Sequence, residues 1–163
     1  MTATSASAHL PPLGTHSREE IGAELQATLL ELVDLSLVGK QLHWSVTGPL
    51  FRPLHLYLDE LIDSWRELAD TVAERAVAIG FWPDGQADAI VVGGHRTSVP
   101  RGAVEDHAVV RDLSRRLAET CERTRDRMDR LGELDAASQD VIIEVLRALE
   151  EQLWMVRAHV PGA

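Results

Sequence analysis

Two histidines and three carboxylates, His43, His55, Asp59, Asp70 and Glu74, lie within residues 39–79, in a run that is otherwise apolar and helix-forming. Imidazole and carboxylate groups are ligands for iron, zinc or manganese, and the absence of thiolates among them argues against iron–sulfur clusters and copper(I). His55 and Asp59 are four residues apart, as are Asp70 and Glu74; at ~100° per residue each pair shares one face of a helix. The step from Asp59 to Asp70 is eleven residues, about three turns, so both pairs fall on one stripe. That step is also ~16 Å along the helix axis, whereas bonds from such ligands to a metal are only about 2.0–2.2 Å. One copy cannot close a small site from both pairs.

Two copies can. If two such helices cross antiparallel about a two-fold near Ser64 and Trp65, His55 and Asp59 of one copy face Asp70 and Glu74 of the other, giving two equivalent sites per pair. His43 precedes a reversing turn at Thr47-Gly48-Pro49 and can fold back beside His55 as a further ligand. A mixed His/Asp/Glu set with open positions suits an iron centre that meets an oxidant. Each residue also has a plainer reading. His43 at a helix end can interact with the helix dipole, Asp59 and Glu74 can be surface charges, Glu74 can pair with nearby arginines, and Asp70 can sit in a half-buried ion pair. Their shared stripe is what favours the site.

The elements that position these residues are long helices. Ser17-Arg18-Glu19-Glu20 has capping-box spacing, and Ile21, Leu25, Leu29, Leu32, Leu35 and Val38 recur at helical intervals up to the stop at Gly48-Pro49. Pro53 suits the first turn of a second helix, with Leu54, Leu58, Leu61, Trp65, Leu68, Val72 and Ile79 as its core stripe. Residues 81–102 are irregular and too long for a plain connection, so a short helix is predicted near residues 86–92. A third helix follows over residues 104–131 and a fourth over residues 136–159. On the third, Arg111, Arg115, Arg116, Arg123 and Arg130 read as a solvated face, with Glu119/Arg123 and Asp126/Arg130 at favourable i,i+4 spacing. No alternating stretch argues for a sheet. The fold class expected is all-α, a ferritin-like four-helix bundle with a short extra helix in the long connection between helices 2 and 3. It would span residues 17–160 as one domain, behind a polar tail over residues 1–16 in which His9 and His16 could hold only a peripheral metal.

The chain has 163 residues, 16 basic against 26 acidic, for a formal net charge of −10. That balance disfavours phosphate partners and attracts cations. Cys121 is the sole cysteine, which excludes an intrachain disulfide and a thiolate site and reads as a small helical residue. No apolar run approaches the ~20 residues of a membrane span, and the N-terminus lacks signal-peptide character. The expected location is cytoplasmic, with nucleoid association as an option.

The run Lys40-Gln41-Leu42-His43-Trp44, then His55-x-x-x-Asp59, then Asp70-x-x-Ala73-Glu74-Arg75-Ala76, closely resembles the Dps family of miniferritins. The resemblance extends through helix order to Glu151-Gln152-Leu153-Trp154-Met155 near the end of the fourth helix. It implies a ferroxidase centre at the two-fold interfaces of a hollow dodecamer, with two iron ions per centre and zinc or manganese as substitutes. His43, His55 and Asp59 would come from one subunit, and Asp70 and Glu74, the latter bridging, from its mate. It further implies Fe(II) oxidation by hydrogen peroxide in preference to dioxygen, ferric mineral stored inside, and protection against oxidative damage. Trp44 and Trp154 resemble tryptophans that act as electron donors, with plain core packing as the alternative, and Glu133, Asp135 and Asp140 are candidates for an iron-entry pore. Glu-x-x-His, the signature of centres inside a single bundle, does not occur in the chain. Many Dps proteins bind DNA through lysine-rich tails. Here Lys40 is the only lysine and the first 17 residues carry no Lys or Arg. A dodecamer would total about −120 by multiplication, so weak or no DNA binding is expected. The competing reading is an architectural nucleoid protein with a secondary metal site.

Overall fold

A computed structural model describes residues 10–94 and 98–160. Ile21, Leu25, Leu29, Leu32 and Leu35 are all buried along helix α1, Thr15–Ser45. Its start differs from the expected capping box. Gly14 is the N-cap, no side chain caps it, and Glu20 instead meets His16 at 3.2 Å in the first exposed turns. The residues before it are drawn onto the bundle: the Leu10 side chain lies over Gly80, and the Pro11 carbonyl accepts from Arg18 Nη2 at 2.8 Å. Apolar Leu10 and Leu13 thus pack onto the bundle despite the polar composition around them. Residues 1–9, with His9, lie outside the described residues.

Helix α1 stops at Ser45, and Gly48 takes the left-handed φ of +117° that the reversal requires. Helix α2, Phe51–Ala78, carries Pro53 in its first turn and buries Leu54, Leu58, Leu61, Trp65, Leu68 and Val72, with Ile79 buried just beyond. Gly39 permits the close approach of α1 to α2, since a Cβ there would sit 2.7 Å from the Trp65 ring. That ring is fully buried, and its indole N–H donates to Gln152 Oε1 at 2.8 Å while Gln152 Nε2 donates to Ser64 Oγ at 3.0 Å. A buried Trp N–H left without a partner would be costly. The pair therefore ties the midpoint of α2 to the last helix.

Helix α3, Ala87–Gly93, is the short helix expected in the long connection. A pairing absent from the expectation follows: β1, Val46–Thr47, runs parallel to β2, Val104–Glu105. Two residues each are too few for alternation to reveal. Asp106 opens α4, Asp106–Gly132, and its buried carboxylate accepts from the Leu50 N–H at 2.6 Å and the His107 N–H at 2.8 Å. Those bonds, the one from Leu50 foremost, hold its carboxyl below the usual carboxylate range. They pin the α1–α2 turn to the start of α4. A side chain at Gly48 would strike Asp106, because a Cβ there falls 2.5 Å from Oδ2.

The solvated face read from the α4 arginines holds at Arg111, Arg115 and Arg130, which are exposed, but not at Arg116, which is buried, nor at Arg123, whose Nε donates across the bundle to Glu31 Oε1 at 2.5 Å instead of pairing with Glu119. Arg127 grips Glu31 with two bonds of 2.9 and 3.0 Å, and Arg130 turns to Glu24 on α1 rather than to Asp126. Helical spacing shows which charges can be neighbours on one helix and is blind to carboxylates on another. Helix α5, Ala136–Arg157, buries Val145, Leu149 and Val156, with Val141 and Leu153 half-buried. Cys121 is buried, and burial pushes its thiol up to about 11, which leaves it unreactive. Among the described residues no helix is long and apolar enough to cross a membrane.

Candidate metal centre

His43 and His55 meet where α1 ends and α2 begins. Their rings stack with centroids 3.7 Å apart at 21°. Each Nδ1 lies beside the other residue's backbone carbonyl: His43 Nδ1 is 2.8 Å from the His55 oxygen, and His55 Nδ1 is 3.0 Å from the His43 oxygen. A carbonyl only accepts, so each Nδ1 carries the proton and each Nε2 keeps a lone pair. A metal-ligating histidine has this tautomer, fixed by a backbone carbonyl on its other nitrogen. The His43 carbonyl is also one of the last-turn acceptors of α1 that lack a helical partner. His55 thus caps the helix that carries His43, and the plain dipole-cap reading of His43 gives way to a reciprocal clamp. His43 is buried and His55 half-buried.

Asp59 lies one turn on from His55. Lys40 Nζ donates to its Oδ1 at 2.5 Å, and His43 Nδ1 is 3.3 Å from the same oxygen. The ammonium of Lys40, the chain's only lysine, holds the Asp59 carboxyl below its usual range. A cation taken up by Asp59 would displace or share with that ammonium.

Asp70 and Glu74 are exposed on the same helix, with no side-chain hydrogen bond or ion pair to another described residue. Arg75, the neighbour that could have neutralised Glu74, donates instead to Asp135 and Ser138, at 2.6 and 2.9 Å. Asp70 lines an open groove between α1 and α2 together with Leu29, Val33, Leu37, Ala69 and Ala73. Its carboxylate is therefore not in the half-buried ion pair considered from sequence. His43 at the end of α1 joins His55 and Asp59 at the start of α2, while Asp70 and Glu74 stand further along α2, and one chain does not bring the two groups together.

Among the described residues, three ligand atoms come within 4.8 Å of one another only at Glu105, Asp106 and His107. Sequence reading passed over this trio. Asp106 there is committed to two backbone N–H groups, so the trio stands as a structural junction. Trp44 and Trp154 are 69% and 68% exposed, so core packing within the chain does not explain either. Of the pore candidates, Glu133 and Asp140 are exposed, whereas Asp135 caps α5 by accepting from the Ser138 N–H at 2.9 Å and pairs with Arg75.

The family model described as "Ferritin-like domain" matches residues 22–161. The chain is 35% identical over 158 residues to the "DNA protection during starvation protein" of Mycolicibacterium smegmatis, covering 94% of this chain and 84% of the relative. It is 32% identical to "DNA protection during starvation protein 2" of Deinococcus radiodurans over 93% of its own length, spanning 63% of that relative. Among solved structures, Mycobacterium smegmatis Dps in a tetragonal form superposes with a TM-score of 0.89 at 32% identity, covering 94% of each chain. DpsA14 from Streptomyces coelicolor superposes at 0.90 and 31% identity, covering 96% of this chain and 94% of that one. The helix order, the short helix between α2 and α4 and these likenesses converge: the chain belongs to the Dps family of ferritin-like proteins.

Proposed function

We propose that the chain forms two-fold pairs within a dodecameric cage, oxidises Fe(II) at two intersubunit centres per pair, and stores the ferric product inside. His43, His55 and Asp59 of one subunit and Asp70 and Glu74 of its mate hold the iron, two ions per centre, with Glu74 between them. Zinc or manganese can occupy the same ligands without turnover. Two Fe(II) each give one electron to hydrogen peroxide, and with two protons the products are two Fe(III) and two waters, so no hydroxyl radical escapes. Trp44 and Trp154, both exposed near the ends of their helices, are candidate donors when iron is short. Glu133 and Asp140, exposed and with no side-chain partner among the described residues, are the carboxylates for an entry path, while Asp135 serves α5.

The observation that carries this reading is the reciprocal His43/His55 clamp. It leaves two Nε2 lone pairs at one end of α2, while two carboxylates without a cationic partner among the described residues stand about four to five turns along the helix. The names of the relatives add protection of DNA. The net charge of −10 favours protection by removing iron and peroxide over protection by coating.

The test is Fe(II) oxidation on anaerobic addition of hydrogen peroxide, for wild type and His43→Ala/His55→Ala. Wild type should consume about two Fe(II) per peroxide, as two-electron reduction requires, and the variant should fall to the rate of free iron. Equal, slow oxidation by both proteins would overturn the assignment.

A further inference from the structure

We infer that Phe51 is a positioning residue for His55, an inference that rests on the metal-centre reading. Phe51 opens α2 one turn before His55, and their ring centroids are 5.0 Å apart at 32°. With His43 stacked at 3.7 Å, the His55 imidazole touches two other rings. The two histidines are held differently. His43 is buried, so the core itself fixes its ring. His55 is half-buried, tied at one atom by the 3.0 Å bond from Nδ1 to the His43 carbonyl. A ring held at one nitrogen can still swing about that bond and sweep Nε2 through space. Ring-to-ring contact removes that freedom.

Phe51 supplies such contact from its own helix, at the i,i+4 spacing where side chains meet. It stays 45% exposed although it is a large apolar group. Packing in the chain's own core does not account for it, while contact with His55 does. Its effect is on where the lone pair points. Without the ring, His55 keeps its tautomer and its hydrogen bond yet spends less time aimed at a metal.

Aromatic contacts of this kind correspond to roughly three- to tenfold in an equilibrium. The probe is Co(II), titrated anaerobically into the assembled protein and followed by its visible d–d absorption, for wild type, Phe51→Tyr, Phe51→Leu and His55→Ala. Sedimentation verifies equal assembly, and Phe51→Met replaces Phe51→Leu if leucine alters it. Phe51→Tyr, which keeps the ring, should bind Co(II) as wild type does, and the aliphatic variant about three- to tenfold more weakly. In a His55→Ala background, Phe51→Leu should cause no further loss, because its route through His55 is gone. Equal affinity of Phe51→Leu and wild type, or an undiminished loss in the His55→Ala background, would overturn the inference and leave the metal centre standing. No Co(II) binding by wild type, or none lost in His55→Ala, would overturn the metal centre and this inference with it.

Discussion

If each centre takes His43, His55 and Asp59 from one subunit and Asp70 and Glu74 from another, two dead variants should rescue each other by a fixed fraction. The first variant is His43→Ala/His55→Ala, which keeps its carboxylate half. The second is Asp70→Ala/Glu74→Ala, which keeps its histidine half. Alone, each assembles pairs in which every centre lacks one half. Co-expressed at equal levels and paired at random, half of all two-fold pairs are mixed. In a mixed pair, one centre joins both mutated halves and the other joins both intact halves, as the symmetry of an isologous contact dictates. Half the pairs with one good centre of two make about a quarter of the wild-type centres. The initial rate of Fe(II) oxidation by peroxide should therefore recover to about 25% of wild type, from background in both parents. Mass spectrometry of the isolated cages verifies mixing, and sedimentation verifies assembly. Recovery cannot arise within one chain, because ~16 Å of helix separates the halves. Background activity in properly mixed cages would refute the shared centre, and recovery well above half would refute the two-site count.

Three further outcomes follow from the geometry. Lys40→Met removes the ammonium 2.5 Å from Asp59 Oδ1, so a divalent probe such as Co(II) should bind several-fold more tightly, and unchanged affinity by the same absorbance titration would show that Lys40 does not compete. Arg127→Met removes one of the guanidinium groups from buried Glu31, which should cost about 3 kcal/mol and lower the thermal midpoint by roughly 6–12 °C near neutral pH. Burial raises the Glu31 carboxyl, but Arg127 and Arg123 outweigh it and hold it below its ordinary value. The stabilisation is therefore complete above the unfolded-state value and fades as pH falls through the folded one. The calorimetric gap between wild type and Arg127→Met should accordingly narrow in acid, and a constant gap would contradict the ion-pair account. A gel shift at physiological salt and neutral pH should show weak or no retention of duplex DNA, and tight binding would restore the architectural reading.

The helices and the shared placement of the two carboxylate pairs on α2 were legible because both depend on spacing within one helix. Leu54, Leu58, Leu61 and Trp65 announce a buried face, and the eleven-residue step from Asp59 to Asp70 puts two pairs on one stripe. Contacts between helices were not legible. Arg123 could be paired with Glu119 on paper, since nothing local reports that Glu31, 92 residues away, accepts its bond. The tie from Asp106 to the Leu50 N–H and the two-residue β pairing beside it escaped for the same reason. Ser17 and Glu20 satisfied a capping rule, yet the helix began earlier because Leu10 and Leu13 anchor the preceding segment. The histidine clamp lay between these cases. The turn at Gly48 told that His43 could return to His55, and only the coordinates show that each ring binds the other's carbonyl.

The buried charge of this bundle also bears on where the proposed metal chemistry can lie. A cation centre inside one bundle needs carboxylates facing inward with no resident cation. Here the buried carboxylate between α1 and α4, Glu31, already holds two guanidinium groups, those of Arg123 and Arg127. A metal entering there would have to expel arginines that are themselves buried or half-buried, leaving unpaired charge in a low-dielectric interior. Asp70 and Glu74, which bond no cation among the described residues, lie outside, on the exposed face of α2. Arg75, which could have neutralised Glu74 from the next position, is drawn off by Asp135 at the cap of α5. That ion pair thus keeps Arg75 off Glu74, while Lys40 stays bound to Asp59 at the other end of the stripe. The histidines at its other end complete their Nδ1 bonds within the chain and leave Nε2 unspent. Under the proposed function, the complement of Asp70 and Glu74 is the histidine end of a second copy of α2.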